Sequence, residues 1–435
     1  MLLAFQAGLA DFVPSCKSSS LSIVVTPNQN RSYELLVRLI RVGPMDDVDL
    51  SILSPGDWEE ILREARVHGI IPLLNERLSS FRPTPLVPKN IEKALKESSI
   101  AIAFRNTKLY QALEKVLKKL EAGSIPVLVL KGAHLAELVY ENIALRPMDD
   151  IDLLVHKQDL SKTEEALLGL GYVHTETKPP VTSPHHLTPF VKSGEAAIEI
   201  HWTIPPSDLF RIDVDGIWER SRTATISGVA TRVLGPEDLL LHLCLHASVH
   251  HRFGIGLRPL CDIAETVRRY ESELDWDELQ QRSRGWGAVT AVYLTLRVAA
   301  ELVGAAVPKT ILERMMPRGF DSRLVDWAKT QVFTRSEELR DNTAMSPRLA
   351  GFWQSSFLGK ARLLLKAAFP PTDELARIYR VPPRSMRVFW YYPVRLKDLI
   401  TMRGEAALRL ARGDKQALSA AEMFEQLLGD QKVES

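Results

Sequence analysis

The sequence predicts an α+β protein in which a small mixed sheet lies between two helical regions. Helical periodicity covers the first part of the chain, a series of β-type segments begins after Gly123, and helical periodicity returns after Pro236. We therefore predict four parts: a partly disordered N-terminal tail over 1–48, a helical region over 49–122, a sheet region over 123–235 and a helical C-terminal domain over 236–435.

The first helical region is predicted from a capped amphipathic segment and a long helix. Ser54-Pro55-Gly56-Asp57 offers a capping side chain and a proline for the first helical turn, and apolar residues then recur at helical spacing over 58–73. A proline-rich stretch follows, and the next helix is predicted over about 89–120.

The sheet region is predicted from short apolar runs that alternate with helices. The runs at 125–130 and 151–155 are typical of buried strands and 172–174 of a short third strand, with helices over 133–140 and 160–170 between them. Ser193-Gly194 then separates two β-type segments, which predicts a hairpin. Helices are predicted beyond the sheet region at 237–251, 260–270, 289–303, 359–368 and 395–410.

Composition excludes several classes of protein. With 45% hydrophobic and 25% charged residues, the chain is neither disordered nor fibrous. Its 55 basic and 54 acidic residues give no bulk attraction to nucleic acid, and without a basic stripe carrying interleaved aromatic residues a nucleic-acid acceptor is not expected. Three cysteines cannot form a disulfide framework, which favours the cytoplasm, and no apolar run predicts a membrane span.

The pair Asp150 and Asp152 is the sharpest chemical feature. Alternate side chains of a strand point to the same face, so both carboxylates leave one face while Ile151 and Leu153 enter the core. Two such carboxylates repel each other unless a divalent cation lies between them, and oxygen ligands favour Mg²⁺ or Mn²⁺. An acidic turn at a strand edge is the alternative. The pair follows a strand and a helix and begins a second apolar strand, a context that favours a metal site able to bind a triphosphate.

A third carboxylate, Glu199, alternates with Ile198 and Ile200 and therefore faces away from the apolar side of its strand. If this strand lies beside that of Asp150, Glu199 completes a three-carboxylate site as a metal ligand or as a general base, with His201 on the same face. The alternative is a sheet whose second face is simply exposed to water.

Basic residues near this site are candidates for binding phosphate. Lys131-Gly132 lies at a strand-to-helix junction, where glycine permits close backbone approach and helix N–H groups attract anions. Lys131 and Arg146 are able to neutralise phosphate charge. This junction alone is a weak signal, because it is common in α/β proteins.

Three histidines recur on one face of a predicted helix, at positions 242, 246 and 250. A zinc site would need a fourth ligand, and Cys244 lies on the wrong face of that helix. We therefore interpret these histidines as packed or hydrogen-bonded residues of the helix, rather than as metal ligands.

These motifs resemble the bacterial uncharacterised nucleotidyltransferase family, a member of the DNA polymerase β-like nucleotidyltransferase superfamily. The resemblance extends from about residue 57 into the C-terminal helices. The segments that carry it are Leu130-Lys131-Gly132, Tyr140, Arg146, Asp150-Ile151-Asp152-Leu153-Leu154-Val155, Leu168-Gly169-Leu170-Gly171-Tyr172, Ile198-Glu199-Ile200-His201-Trp202, Pro236-Glu237-Asp238-Leu239-Leu240-Leu241-His242, His246 and Asp262.

The resemblance implies a nucleotidyltransferase palm with helices around it. Asp150 and Asp152 would bind the catalytic metals and Glu199 would be the third acidic residue. An acceptor hydroxyl would attack the α-phosphate of a nucleoside triphosphate, and pyrophosphate would leave. A small molecule, a peptide or a protein would be the acceptor. In members of the superfamily the helical domain closes over the nucleotide, which would place His246 and Asp262 at the base or acceptor pocket; packing between domains is the alternative. The predicted nucleotide-binding residues are therefore Lys131, Gly132, Arg146, His201, His246 and Asp262.

Two other functions stay open. An Asp-x-Asp glycosyltransferase would use the same pair of carboxylates to bind the diphosphate of a sugar nucleotide. A non-catalytic nucleotide- or partner-binding module is the second alternative, because Gly132-Ala133 stands where the superfamily usually has Gly-Ser.

Overall fold

The structure is a computed structural model that describes residues 27–42, 50–80, 87–175, 185–204 and 209–334, with shorter pieces between 368 and 428. The first 26 residues of the predicted tail, and most of the helices predicted over 359–368 and 395–410, lie outside the described residues.

Four α-helices precede the sheet in the part of the chain that the structure describes. They are α1 (Pro27–Ile40), α2 (Pro55–Val67), α3 (Ile71–Ser80) and α4 (Lys89–Ala122). Helix α2 begins where the sequence predicts it, because Ser54 and Asp57 cap it reciprocally: the Asp57 N–H donates to Ser54 Oγ (3.2 Å) and the Ser54 N–H donates to Asp57 Oδ2 (2.9 Å).

The described residues in the middle of the chain form seven strands and three further α-helices. The strands are β1 (Val127–Val129), β2 (Asp150–Val155), β3 (Val173–His174), β4 (Phe190–Val191), β5 (Ala197–His201), β6 (Arg222–Ile226) and β7 (Val229–Val233). The helices are α5 (Lys131–His134), which continues as a π-helical turn over Leu135–Val139, α6 (Leu160–Gly169) and α7 (Val214–Arg220).

The strands make one mixed sheet in the order β3-β4-β5-β2-β1-β7-β6. The pairs β2/β5 and β1/β7 are parallel, and the other neighbouring pairs are antiparallel. The α+β class is thereby confirmed, and β4 and β5 form the predicted antiparallel pair. The β6–β7 hairpin was not predicted, although Ser227 (φ 53°) and Gly228 (φ 75°) have the two positive φ angles of a tight hairpin turn.

Further described helices follow the sheet. They include α8 (Pro236–Leu245), which continues as a π-helical turn over His246–His250, α9 (Arg258–Arg269), α10 (Trp276–Trp286), α11 (Val289–Val303), α12 (Lys309–Met315), α13 (Arg323–Phe333) and α14 (Lys415–Leu427). Among the described residues, no helix is long and apolar enough to cross a membrane.

Apolar side chains cover both faces of the sheet. On one face Val129, Ile151 and Ile198 share a core with apolar residues of α4. On the other face Leu128 and Leu154 belong to the core that includes the leucines of α8 and α9. Helices therefore cover the face of the sheet to which Leu154 belongs. This face is not simply exposed to water, as the alternative interpretation of Glu199 supposed.

Candidate active site

The two acidic strands lie side by side. Strands β2 and β5 are parallel, and their register places Asp152 directly opposite Glu199 and Asp150 opposite Ala197. The three carboxylates therefore share one end of the covered face, as the sequence predicts. The side chain of Asp152 is 4% exposed and that of Glu199 is 25% exposed, so Glu199 is the more accessible of this pair.

Two basic side chains bind Asp152. The Lys131 ammonium donates to Asp152 Oδ1 at 2.9 Å, and His201 Nε2 lies 2.9 Å from the same oxygen. His201 Nε2 is also 3.5 Å from Glu199 Oε2, so the imidazole lies between two carboxylates. Lys131 directly follows Leu130, and the Leu130 N–H donates to the Asp152 carbonyl at 3.0 Å. The φ of Lys131 is 31°, a strained backbone conformation for a residue with a side chain.

The pKa values of the two aspartates are driven apart. Burial and the negative charge of Asp152 raise the pKa of Asp150 from 3.8 to about 6. Burial alone would raise the pKa of Asp152 too, but the Lys131 ammonium and the hydrogen bond with His201 outweigh it and lower that pKa below its usual range. Asp152 therefore stays ionised, whereas burial and the charge of Asp152 both disfavour the ionised form of Asp150.

Glu199 is also held in its ionised form. Its hydrogen bond with His201 lowers the pKa of Glu199 despite the opposing effect of burial. Ligand atoms of Asp152, Glu199 and His201 all lie within 4.8 Å of one another. A divalent cation would offset both causes that raise the pKa of Asp150, its burial and the negative charge of Asp152. The donor set therefore fits a cation held mainly by oxygen.

Arg146 and Asp262 bind each other. Arg146 Nη2 and Nε donate to the two Asp262 carboxylate oxygens at 2.9 and 3.2 Å, and the Tyr140 hydroxyl donates to Oδ1 at 3.0 Å. Burial of the guanidinium alone would lower the pKa of Arg146. The Asp262 carboxylate outweighs this effect and raises that pKa. The pair joins the loop before β2 to helix α9.

Gly132 leaves the space that the Arg146 side chain of this pair occupies. A Cβ atom at residue 132 would lie 2.8 Å from Arg146 Nη1 and 3.2 Å from the Met148 side chain. The sequence predicts close approach of a ligand at this glycine, but in the structure the group that approaches it is the Arg146 guanidinium.

A group of seven histidines, which we call the histidine wall, lies beside the carboxylates. Successive ring centroids are 4.4 to 6.2 Å apart, and the wall meets the acidic site through His201. Its members are His185, His186, His201, His242, His246, His250 and His251.

The structure thus brings together Asp150, Asp152, Glu199, Lys131 and His201, and places Arg146 with Asp262 in a neighbouring ion pair. His246 lies in the histidine wall, and a direct contact with nucleotide stays a prediction. Sequence reasoning did not include His185 or His186 in the site. The available signal was the clustering of histidine, since seven of the 11 in the chain belong to the wall.

Comparison with known proteins gives one family. The sequence model of the uncharacterised nucleotidyltransferase family matches residues 54–304, which is more than half of the chain. A comparison with curated proteins finds no significant match. Among solved structures, the antibiotic-resistance factor ANT(2'')-Ia is similar with 13% identity and a TM-score of 0.31, over 41% of this chain and 91% of that one.

Proposed function

We propose, from the premise that the chain belongs to the uncharacterised nucleotidyltransferase family, that it transfers a nucleoside monophosphate from a nucleoside triphosphate to an acceptor hydroxyl. The observation that carries the proposal is the parallel register of β2 and β5, which places Glu199 beside Asp152 at the end of the sheet where Asp150 also lies. The acceptor oxygen would form a bond to the α-phosphorus as the bond to pyrophosphate breaks.

Asp150, Asp152 and Glu199 would hold Mg²⁺ or Mn²⁺ in this proposal. The cation would neutralise triphosphate charge and polarise the α-phosphate. We propose Glu199 as the acceptor of the proton from the acceptor hydroxyl, because it is held in its ionised form and is more accessible than Asp152. His201 orients both carboxylates through contacts of 2.9 and 3.5 Å.

Lys131 is the residue that we propose for direct phosphate contact. Its ammonium lies within the carboxylate site, 2.9 Å from Asp152. Arg146 and Asp262 have a different proposed task, because each already satisfies the other. They position the loop that leads to Asp150 and Asp152, and Gly132 leaves the space that the guanidinium needs.

The test is a calorimetric titration of ATP, GTP, CTP and UTP with Mg²⁺ into wild type and Asp150→Asn. The matched control is Asp149→Asn, since Asp149 directly precedes Asp150 but is exposed and pairs with Arg105 and Arg258. We expect Mg²⁺-dependent binding of at least one triphosphate, weakened about tenfold or more in Asp150→Asn and unchanged in the control. Absence of triphosphate binding by the folded wild type, or equal binding by both variants, would contradict the proposal.

Two further measurements separate the alternatives: a titration with sugar nucleotides, and a test of the cellular role of a double variant. A glycosyltransferase would bind sugar nucleotides in preference to triphosphates. A non-catalytic module would keep its cellular role in the double variant Asp150→Asn/Asp152→Asn, whereas either enzyme would lose its activity.

A further inference from the structure

The C-terminal end of helix α8 is a π-helical turn over His246–His250. The His251 N–H donates to the His246 carbonyl at 3.0 Å, which is the i to i+5 hydrogen bond of that turn. The wider turn brings residues four and five positions along the chain to the same side as the first. His250 and His251 therefore both face His246, which a regular helix would not allow for i+5.

The three imidazoles converge on one point. One ring nitrogen from each of His246, His250 and His251 lies within 4.8 Å of the others. His246 Nε2 and His251 Nε2 are 3.1 Å apart. Tetrahedral zinc with bonds of about 2.0–2.1 Å holds its nitrogen ligands about 3.3 Å apart, so this pair already has the separation that the ion requires.

A hydrogen bond between two histidines explains only part of this arrangement. It accounts for His246 and His251, but it does not require the ring of His250, which lies 5.4 Å from His246 and 4.6 Å from His251. His246 and His251 are half-buried while His250 is exposed. Three protein nitrogens with solvent beside one of them are the ligand set of an open zinc site, in which water or a substrate atom is the fourth ligand.

We propose that His246, His250 and His251 bind a divalent transition-metal ion, with Zn²⁺ preferred. Imidazole nitrogen suits Zn²⁺, whereas the oxygen ligands of Asp152 and Glu199 suit Mg²⁺ or Mn²⁺. The two sites are neighbours in the histidine wall, because the His185 ring is 5.6 Å from His250 and 5.9 Å from His201. The inference is independent of the proposed function and gives His246 a task other than direct nucleotide contact.

The experiment measures Zn²⁺ affinity of the full chain after removal of metal with EDTA, by competition with a chromophoric chelator. Wild type is compared with His250→Gln and His251→Gln. The controls are His156→Gln, whose ring stacks on Trp218 and not on a histidine of the wall, and Glu199→Gln in the acidic site. Far-UV circular dichroism checks the fold of each, and exposed His250 is the substitution most easily tolerated.

We expect wild type to bind Zn²⁺ and both wall variants to bind at least about tenfold more weakly, since loss of even a ligand's hydrogen-bonding partner costs 10–100-fold. The two controls should match wild type. Co²⁺ should give the visible absorption of a four-coordinate site, with three imidazole nitrogens and water as ligands, in wild type and not in His250→Gln. No Zn²⁺ binding by wild type, wild-type affinity in the wall variants, or a loss confined to Glu199→Gln would each overturn the site.

Discussion

The proposed function needs an ionised Asp150, whereas an ionised Asp150 destabilises the folded protein without a metal. Its pKa is raised to about 6, so the ionised carboxylate costs free energy in the folded state. The cost is absent well below pH 4, grows between about pH 4 and 6, and is complete above that. A residue retained at such a cost is typical of a site that a bound cation completes.

We therefore predict that Asp150→Asn stabilises the metal-free protein at pH 7–8, by on the order of 2 kcal/mol in the free energy of unfolding. The gain should shrink as the pH falls towards 4. Denaturant unfolding in EDTA measures it, with the exposed Asp149→Asn as the control. Equal stability of wild type and Asp150→Asn at pH 8 would contradict the raised pKa of Asp150.

Substitution of Lys131, in contrast, is expected to destabilise the protein. Its ion pair with Asp152 is buried, with side chains 12% and 4% exposed. Lys131→Gln leaves the anion without its ammonium partner, so we predict a loss of about 3–5 kcal/mol of stability. Lys118→Gln removes an exposed helical pair with Glu114 and should cost about 0.5 kcal/mol or less. Thermal unfolding of both variants measures the contrast, and similar losses would contradict a buried pair.

At the scale of elements, the Arg146–Asp262 pair connects the loop before β2 with helix α9 across the site. We predict that a double-mutant cycle with Arg146→Gln and Asp262→Asn gives a coupling free energy of about 2 kcal/mol or more, since the pair is bidentate and buried. Additive single-variant losses would mean that the two residues act separately. Gly132 belongs to this connection, because a side chain there would meet Arg146.

At the scale of the whole molecule, the sheet and the helices after it share one core. Leu154 of β2 and Leu243 of α8 belong to the same buried cluster. We predict that Leu154→Ala and Leu243→Ala, each at a cost of about 2–5 kcal/mol, shift one common unfolding transition. Exposed Leu168 gives the control Leu168→Ala. Calorimetry that resolves two transitions, with each variant shifting only one, would show independent domains.

Local sequence patterns determine which residues share a strand face and where helix α2 begins. The alternation in 150–155 and 198–201 is sufficient to place Asp150, Asp152, Glu199 and His201 on one face of their strands, and the cap at Ser54 is readable in four residues. Each of these features depends on neighbours in the chain, so a sequence contains the information. The family, too, is recognisable from its motifs and is confirmed by the match over 54–304.

The tertiary structure decides what those side chains meet. The register of β2 on β5, the pairing of Arg146 with Asp262 and the histidine wall each join residues distant in sequence. The turn that converges His246 with His250 and His251 depends on one extra residue in a helical turn, which helical periodicity does not reveal. Such contacts are selected by the packing of the whole core, and for that reason Arg146, expected at phosphate, lies against Asp262.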